Sequence, residues 1–367
     1  MNPKIGIIAD RLNRTLTGVG TYVYHLVREL SKTEDISLIT YQDLSLPFDV
    51  PTVIMNPFGV FSNHSLYLWH LYVNGALHRT TEFDIIHSPE NAAFITSVTC
   101  KKVVTIHDLI LYLFPHYAGL LHRVRYRMLL PWTVKTADGI IAVSQSTKRD
   151  LVTRVGVPEQ KITVIYPGVG PEFSPCNPNT VKEIREEYHL NHPFVLYTGT
   201  LAPHKNVSTL VTSFRRLKDS GMPHSLVLTG IRGWRYHSVL ETVRRLHLEK
   251  DVVFTGYIPY EDLPGMYSAA DLYVYPSLYE GFGLPVVEAM ACGCPVIASN
   301  VSSLPEVVGD AGVLITPTVD ELATSMQEVL RDQSVRDELS RKGLERASRF
   351  TWKKTAAETK KVYEELV

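Results

Sequence analysis

Two glutamates separated by seven residues flank a glycine turn in Pro276-Ser-Leu-Tyr-Glu280-Gly281-Phe282-Gly283-Leu284-Pro285-Val-Val-Glu288. Carboxylates accept hydrogen bonds from hydroxyl groups. A turn that opens a helix offers backbone N–H groups and the positive end of the helix dipole, which together favour an anion. The combination suits a ligand with a phosphate at one end and hydroxyls around it. Lys205, in Gly199-Thr200-Leu-Ala-Pro-His204-Lys205-Asn206, stands just before a helical stretch carrying Val207, Leu210, Val211 and Phe214, with Asn206 as the expected N-cap. A cation at a helix's positive end is unfavourable unless an anion joins it, so phosphate binding is expected here too, and a ligand-free fold should gain slightly from its loss. Arg232, in Gly230-Ile-Arg-Gly-Trp, can add a second positive charge. His107-Asp108 follows an apolar run, where an imidazole can hydrogen-bond a sugar hydroxyl and an aspartate can cap the next helix. Near the start, Gly18-Val-Gly20 lies between a strand-like run and a helical one. A dinucleotide fingerprint would need a third glycine where Val23 stands, so the expectation is a glycine loop at a sheet edge facing the ligand.

The elements that must position these groups are short and regular. Apolar, β-branched runs predict strands over 4–9, 36–41, 52–55, 84–87, 102–106, 139–143 and 162–166, with helical stretches near 21–30, 64–80, 121–137 and 146–154. Ser144 is the expected N-cap of the last of these. Pro167-Gly-Val-Gly-Pro171 and Ser174-Pro-Cys-Asn-Pro178 break all periodicity and mark a linker. Strands are then expected at 194–198, 225–229, 251–255, 272–275, 295–299 and 312–315, and helices near 180–188, 319–331 and 334–349. Alternating strands and helices make doubly wound parallel sheets, whose ligands sit at the carboxyl ends of the strands. Glu280, Lys205, His107 and Tyr257 all follow strand ends. Pro285 suits the first position of a helix and Gly293 the left-handed position that ends it.

The 276–293 string closely resembles the Glu-x7-Glu signature of retaining glycosyltransferases of family four. The resemblance extends over most of the second half, and in the first half to the glycine loop, His107-Asp108 and the Ser144 region. It implies an α/β architecture of the GT-B type, two Rossmann-like doubly wound domains facing a central cleft. It places an acceptor-binding domain at 1–168, with a final helix 352–367 crossing back, and a nucleotide-sugar domain at 169–351. It implies that Glu280, His107 and Lys205 carry catalysis. It assigns Gly18, Gly20, Thr200, Lys205, Arg232, Tyr257, Gly281, Phe282, Gly283, Leu284 and Glu288 to donor binding, with Glu288 on the ribose hydroxyls and Tyr257 bordering the base. The family often has an arginine where Thr200 or His204 stands here, so the charge opposing the diphosphate is reduced. The 277–312 stretch looks most like mannosyl- and rhamnosyltransferases of polysaccharide assembly. The implied reaction moves a hexose, first of all mannose, from a GDP- or UDP-linked donor to a saccharide or lipid-linked saccharide acceptor, giving an α-linkage. Rival readings are a nucleotide-sugar epimerase of similar architecture, a non-catalytic sugar-nucleotide-binding regulator and a Rossmann oxidoreductase.

Bulk properties bound the rest. The chain has 367 residues, 45% hydrophobic and 20% charged, enough for two sizeable cores. A net charge of −1 provides no field for nucleic acid. Four cysteines without a Cys-x-x-Cys argue against a disulfide framework or a zinc site. No Asp-x-Asp occurs, so neither a metal nor a cofactor is expected. No signal peptide or membrane span is evident, and a cytoplasmic setting fits. The basic, partly apolar stretch 121–131 can touch an anionic membrane surface.

Overall fold

The computed structural model describes residues 3–13, 18–56, 66–77, 82–91, 100–117, 119–233 and 235–367. The chain divides into two compact units, Met1–Gly168 with Thr351–Val367, and Val169–Phe350.

In the first unit the strands are β1 (Ile5–Ile8), β2 (Ile36–Thr40), β3 (Thr52–Ile54), β4 (Ile85–Ser88), β5 (Lys101–Ile106), β6 (Gly139–Ala142) and β7 (Ile162–Val164). They form one parallel sheet in the order β3-β2-β1-β4-β5-β6-β7. Helices α1 (Gly18–Leu30), α2 (Leu66–Leu77), α3 (Ile110–Leu113), α4 (Leu120–Thr136) and α5 (Gln145–Asp150) connect them. Right-handed crossovers place α1 on one face and α2 and α4 on the other. Side chains alternate across the sheet accordingly. Trp69, Val73 and Leu77 of α2 pack on Ile39, Tyr41 and Ile86, and Tyr126, Leu130 and Val134 of α4 pack on Val104, Ile106 and Ile140.

The second unit holds β8 (Phe194–Thr198), β9 (Ser225–Thr229), β10 (Val252–Gly256), β11 (Leu272–Tyr275), β12 (Val296–Ser299) and β13 (Val313–Ile315), in the parallel order β10-β9-β8-β11-β12-β13. Its helices are α6 (Pro178–Glu187), α7 (Val207–Asp219), α8 (His237–Arg245), α9 (Leu263–Ala269), α10 (Leu284–Ala291), α11 (Leu304–Val308), α12 (Val319–Arg331) and α13 (Gln333–Ala347). The central strands are apolar on both faces and buried on both, as parallel sheets require. Each expected strand is present within two residues of its expected ends.

A last helix, α14 (Trp352–Glu364), belongs to the first unit. Thr355 Oγ1 donates to the Tyr166 carbonyl at 2.7 Å. The Tyr363 hydroxyl lies 2.6 Å from His87 Nδ1, whose Nε2 is 2.9 Å from Thr105 Oγ1. His87 thereby serves the core. Burial, with His107 nearby, pushes it down to about 3, so it stays neutral.

Three local expectations change. Gly18 and Gly20 are not a loop: α1 begins at Gly18, and neither glycine has positive φ. The residues immediately before them, with Arg14 and Thr17, lie outside those described. Asn206 does occupy the N-cap of α7, but in the left-handed region at φ 57° and without a side-chain cap bond. Its side-chain Nδ2 instead donates to the Pro317 carbonyl at 3.2 Å and its Oδ1 accepts from Thr209 Oγ1 at 2.6 Å. Pro285 is the second residue of α10, after Leu284. Ser144 caps α5 as expected, accepting from the Thr147 N–H at 3.0 Å, and Gly293 follows α10 at φ 74°.

Candidate active site

The strand order of the second unit decides where its chemistry meets. The chain leaves β8 toward β9 on one side, and β11 leads to β12 on the other. The carboxyl ends of the neighbours β8 and β11 therefore flank a topological switch point, where ligands of such sheets bind. Lys205 follows β8 and Glu280 follows β11. Lys205 Nζ donates to Glu280 Oε1 at 2.5 Å and to the Tyr275 hydroxyl at 2.8 Å. The two charged side chains are 15% and 12% exposed. Burial alone would raise the Glu280 carboxyl, but Lys205, by charge and hydrogen bond, outweighs it and holds the carboxyl below its ordinary range. The anion that Lys205 needs at the helix end is thus supplied by the chain itself, 75 residues downstream.

The turn between Glu280 and α10 is fixed from behind. Glu280 N–H donates to Ser302 Oγ at 2.9 Å, and Ser303 Oγ donates to the carbonyls of Glu280 and Phe282 at 3.1 and 2.9 Å. Gly281, Phe282 and Gly283 are buried, Leu284 less so, and the Phe282 ring meets Phe350 edge-on at 5.5 Å. Gly283 caps α10 at φ 109°, where a Cβ would be strained and would come 2.8 Å from Leu304 Cδ2. Glu288, in the second turn of α10, is 7% exposed and accepts from the Tyr267 hydroxyl at 2.9 Å. Burial raises its carboxyl to about 7, so it is only partly ionised at neutral pH.

A buried tyrosine set underlies both glutamates, and the sequence reading missed it. Thr198 Oγ1 lies 2.9 Å from both the Tyr267 and Tyr273 hydroxyls. Tyr267 reaches Glu288 and Tyr275 receives Lys205. Tyr273 and Tyr275, two apart on one strand, share a face and stack at 5.9 Å. The available signal was this spacing: a buried strand with two phenols on one face must find partners for both hydroxyls.

Thr200 and Arg232 are brought together by the backbone. Leu201 N–H donates to the Ile231 carbonyl at 3.0 Å and Gly233 N–H to the Leu201 carbonyl at 3.2 Å, so the loops after β8 and β9 run side by side. A Cβ on Gly230 would lie 2.1 Å from the Gly199 carbonyl oxygen, which requires glycine at the crossing. Arg232 is exposed, its guanidinium 5.3 Å from the centre of the Tyr236 ring. His204 is pushed down to about 4 by burial and then by Lys205, so it adds no charge at neutral pH. Its carbonyl accepts from the Leu278 N–H at 2.7 Å, tying the loop after β8 to the loop after β11. Tyr257 follows β10 and is 47% exposed, free to border a planar ligand.

His107, Gly18 and Gly20 lie in the first unit. Tyr22, one turn into α1, meets the His107 ring edge-on at 4.8 Å. His107 N–H donates to Asn91 Oδ1 at 2.6 Å, and its Nε2 lies 2.9 Å from the Pro89 carbonyl, which can only accept. The proton therefore sits on Nε2 and leaves Nδ1 as an acceptor for a hydroxyl. Asp108, one residue before Leu109, accepts on Oδ1 from the Ile110 N–H at 2.9 Å; Leu109 is the N-cap of α3 and makes no side-chain cap bond. Burial pushes His107 down to about 4. The unfolded chain takes up this proton first, so the stabilisation tied to the neutral ring is complete above about pH 6.5 and is lost as pH falls toward 4. NMR titration of the ring should inflect near pH 4; an inflection near 6.5 would contradict the buried, neutral assignment.

Among the described residues, Asp10, His70 and Glu90 place their ligand atoms within 4.8 Å of one another, a spacing that could hold a metal. Two protein cations already occupy the cluster. Arg11 is on Glu90 at 2.5 Å. Burial alone would lower His70, but its hydrogen bonds to Asp10 and Glu90 outweigh that and raise it to about 10.

The family description Glycosyl transferases group 1 matches residues 180–346, and the description Glycosyltransferase Family 4 matches residues 16–173. O-antigen chain mannosyltransferase B of Escherichia coli is 32% identical over 380 aligned positions, covering 98% of this chain and 99% of that protein. The serotype-specific mannosyltransferase WbdA of Escherichia coli is 29% identical over 71% of this chain, which spans 33% of that longer protein. Among solved structures, sucrose-phosphate synthase from Thermosynechococcus elongatus superposes with a TM-score of 0.81 at 24% identity, covering 99% of each chain. Anabaena Alr3699/HepE in complex with UDP and glucose superposes at 0.78 and 19% identity, covering 100% of this chain and 99% of that one.

Proposed function

The chain belongs to the group 1 glycosyltransferases of family four, and from that membership we propose that it moves mannose from a nucleoside diphosphate to a saccharide hydroxyl with retention of the α configuration. The observation that carries this reading is the Lys205–Glu280 pair at the switch point of the second sheet. There a diphosphate would meet Lys205, Arg232 and the start of α10, the ribose would meet Glu288, and the base would border Tyr257. Within the second unit Glu280 would hold the sugar while the leaving phosphate takes the proton of the attacking hydroxyl. The mannose assignment rests on the O-antigen mannosyltransferase relatives, and GDP is the first choice of nucleotide. The first unit would take the acceptor, in polysaccharide assembly at the cytoplasmic side of a membrane.

The test is transfer from labelled GDP-mannose to a panel of mannosides in the presence of EDTA, with the linkage of the product read by NMR. An α-mannoside formed at undiminished rate is expected, because protein cations rather than a metal face the leaving group. A requirement for Mg²⁺ or Mn²⁺ sinks the metal-free part, a β-linked product sinks retention, and an epimerised donor without acceptor favours the epimerase reading.

Glu288 gives the donor site a pH dependence. A carboxyl raised to about 7 stabilises the ligand-free fold fully below about pH 4.5 and loses that contribution as pH rises through 7. The ionised form is the better acceptor for two ribose hydroxyls, so donor affinity should rise by roughly tenfold between pH 6 and 8, about one unit of ionisation. Calorimetric titration with GDP should show this slope in the parent and none in Glu288→Gln.

None of the described helices is long and apolar enough to cross a membrane. Peripheral contact has a specific candidate in α4. Val124, Met128 and Trp132 recur every fourth residue and are 52%, 69% and 41% exposed, with Arg127 and Lys135 exposed beside them. Leu121 to Arg123 and Arg125 have side chains outside those described. An apolar stripe edged by cations fits an anionic bilayer surface. Co-flotation with vesicles containing anionic phospholipid should be lost in Met128→Ser/Trp132→Ser; equal flotation of that variant would dismiss this face.

A further inference from the structure

The first sheet has its own switch point, between β1 and β4, because the chain turns from β1 toward β2 and from β4 toward β5. Asp10 and Arg11 follow β1, Glu90 follows β4, and His70 reaches the same place from α2. Arg11 Nε and Nη2 both donate to Glu90 Oε2, at 2.7 and 2.5 Å. His70 Nε2 lies 3.0 Å from Glu90 Oε1 and 3.7 Å from Asp10 Oδ2. The side chains of Asp10, His70 and Glu90 are 1%, 6% and 9% exposed, whereas that of Arg11 is 39% exposed. Three buried groups thus hold a fourth whose side chain is partly exposed at the place where doubly wound sheets bind ligands.

The chemistry of that guanidinium narrows the ligand. It has five N–H groups, two of which go to Glu90, and Nη1 donates to no described residue. Two carboxylates already balance two cations. An anion seated on Arg11 would add a charge beside buried carboxylates, and the ion pairs among the described residues of the cluster include no further cation to offset it. Hydroxyl oxygens accept from the same N–H groups without changing the balance. The second unit repeats the plan, with Lys205 after β8 and Glu280 after β11 at its own switch point.

We propose that Arg11, clasped by Glu90 and His70 at the β1–β4 switch point, is a recognition group for a neutral saccharide, the acceptor of the transfer. The proposal deepens the glycosyl-transfer reading and rests on it. Arg11 touches the acceptor; Glu90, His70 and Asp10 are positioning residues that hold the fork. A lysine at position 11 keeps a cation on Glu90 and loses the planar fork, so it separates recognition from folding.

The test uses the full chain with two readouts. In steady state, with GDP-mannose saturating and octyl α-mannopyranoside varied, Arg11→Lys should raise the acceptor KM about tenfold, within the range for losing a hydrogen bond to a charged group. The donor KM and the melting temperature should stay unchanged. His70→Gln should raise the acceptor KM by a smaller factor, because it loosens the clasp without removing the fork. Independently of turnover, saturation-transfer NMR with a panel of methyl glycosides should detect binding to the parent and weaker binding to Arg11→Lys, with inorganic phosphate failing to compete. An unchanged acceptor KM in folded Arg11→Lys would reduce the cluster to a structural clasp. A donor KM raised by the same factor would move Arg11 to the donor site. Competition by phosphate, or no glycoside binding to the parent, would overturn the neutral-ligand assignment. A parent that binds methyl glycosides but transfers no sugar would sink the transfer reading and leave the subsite standing.

Discussion

Lys205→Ala is expected to lower turnover by about 10²–10³-fold, the usual effect of removing one preorganised group that meets developing charge. In the proposed transfer negative charge would grow on the departing phosphate, and Lys205, with a side chain 15% exposed, is a cation at the β8–β11 switch point. The same substitution should also destabilise the ligand-free protein. Helix-dipole reasoning alone expects a slight gain, since a cation opposes the positive end of α7. The ion pair reverses that sign. Without Lys205, the Glu280 carboxylate is buried without its cation, and breaking such a pair costs about 3 kcal/mol at the low end of the usual range. Chemical unfolding of the apo protein tests this directly. Adding Glu280→Gln to Lys205→Ala should recover much of the lost stability while activity stays low. Unchanged or higher stability of the Lys205→Ala protein would mean that the pair does not persist in solution. Arg232 is the group that could compensate in catalysis. Losses that add in Lys205→Ala/Arg232→Ala indicate independent roles, and non-additive losses a shared diphosphate.

Glu280→Ala should lower kcat by roughly 10²-fold with little change in donor KM, because a carboxylate beside the sugar stabilises charge that appears in the transition state. Glu288→Ala should do the reverse, raising donor KM at nearly constant kcat, since the ribose contacts proposed for it would exist in ground and transition states alike. The surroundings of the two residues support the division. Glu280 is kept ionised by Lys205, as a charge-stabilising group must be. Glu288 rests on a neutral phenol and titrates near neutrality, which suits an acceptor of neutral hydroxyls. Steady-state kinetics of the two variants decide the matter, and the opposite pattern would exchange their roles. Glu280→Gln is the finer probe: it keeps the shape of the side chain and removes its charge, so a loss similar to that of Glu280→Ala assigns the effect to charge.

Much of the fold was legible because it is local. Runs such as Leu272–Tyr275 and Val296–Ser299 are apolar at nearly every position, which only a strand covered on both faces explains, and all the expected strands are present. Ser144 and Gly293 were readable for the same reason: a cap bond spans three residues and a left-handed φ belongs to one. Glu280, Lys205 and His107 were identifiable as residues following strand ends, and the family signature confined the chemistry to glycosyl transfer. Strand order was not readable, and everything that depends on it came from the tertiary structure. Whether Lys205 meets Glu280 depends on β8 lying next to β11, a neighbour 75 residues away in the chain. Whether Glu288 is ionised depends on how deeply α10 is buried and on a tyrosine from another helix. Arg11, His70 and Glu90 come from three separate elements and form one cluster only because β1 and β4 are adjacent. Sequence patterns determine which face of an element is apolar and where it ends. The distances between charged groups, and so their pairing and protonation, are set by how the elements are ordered in the sheet.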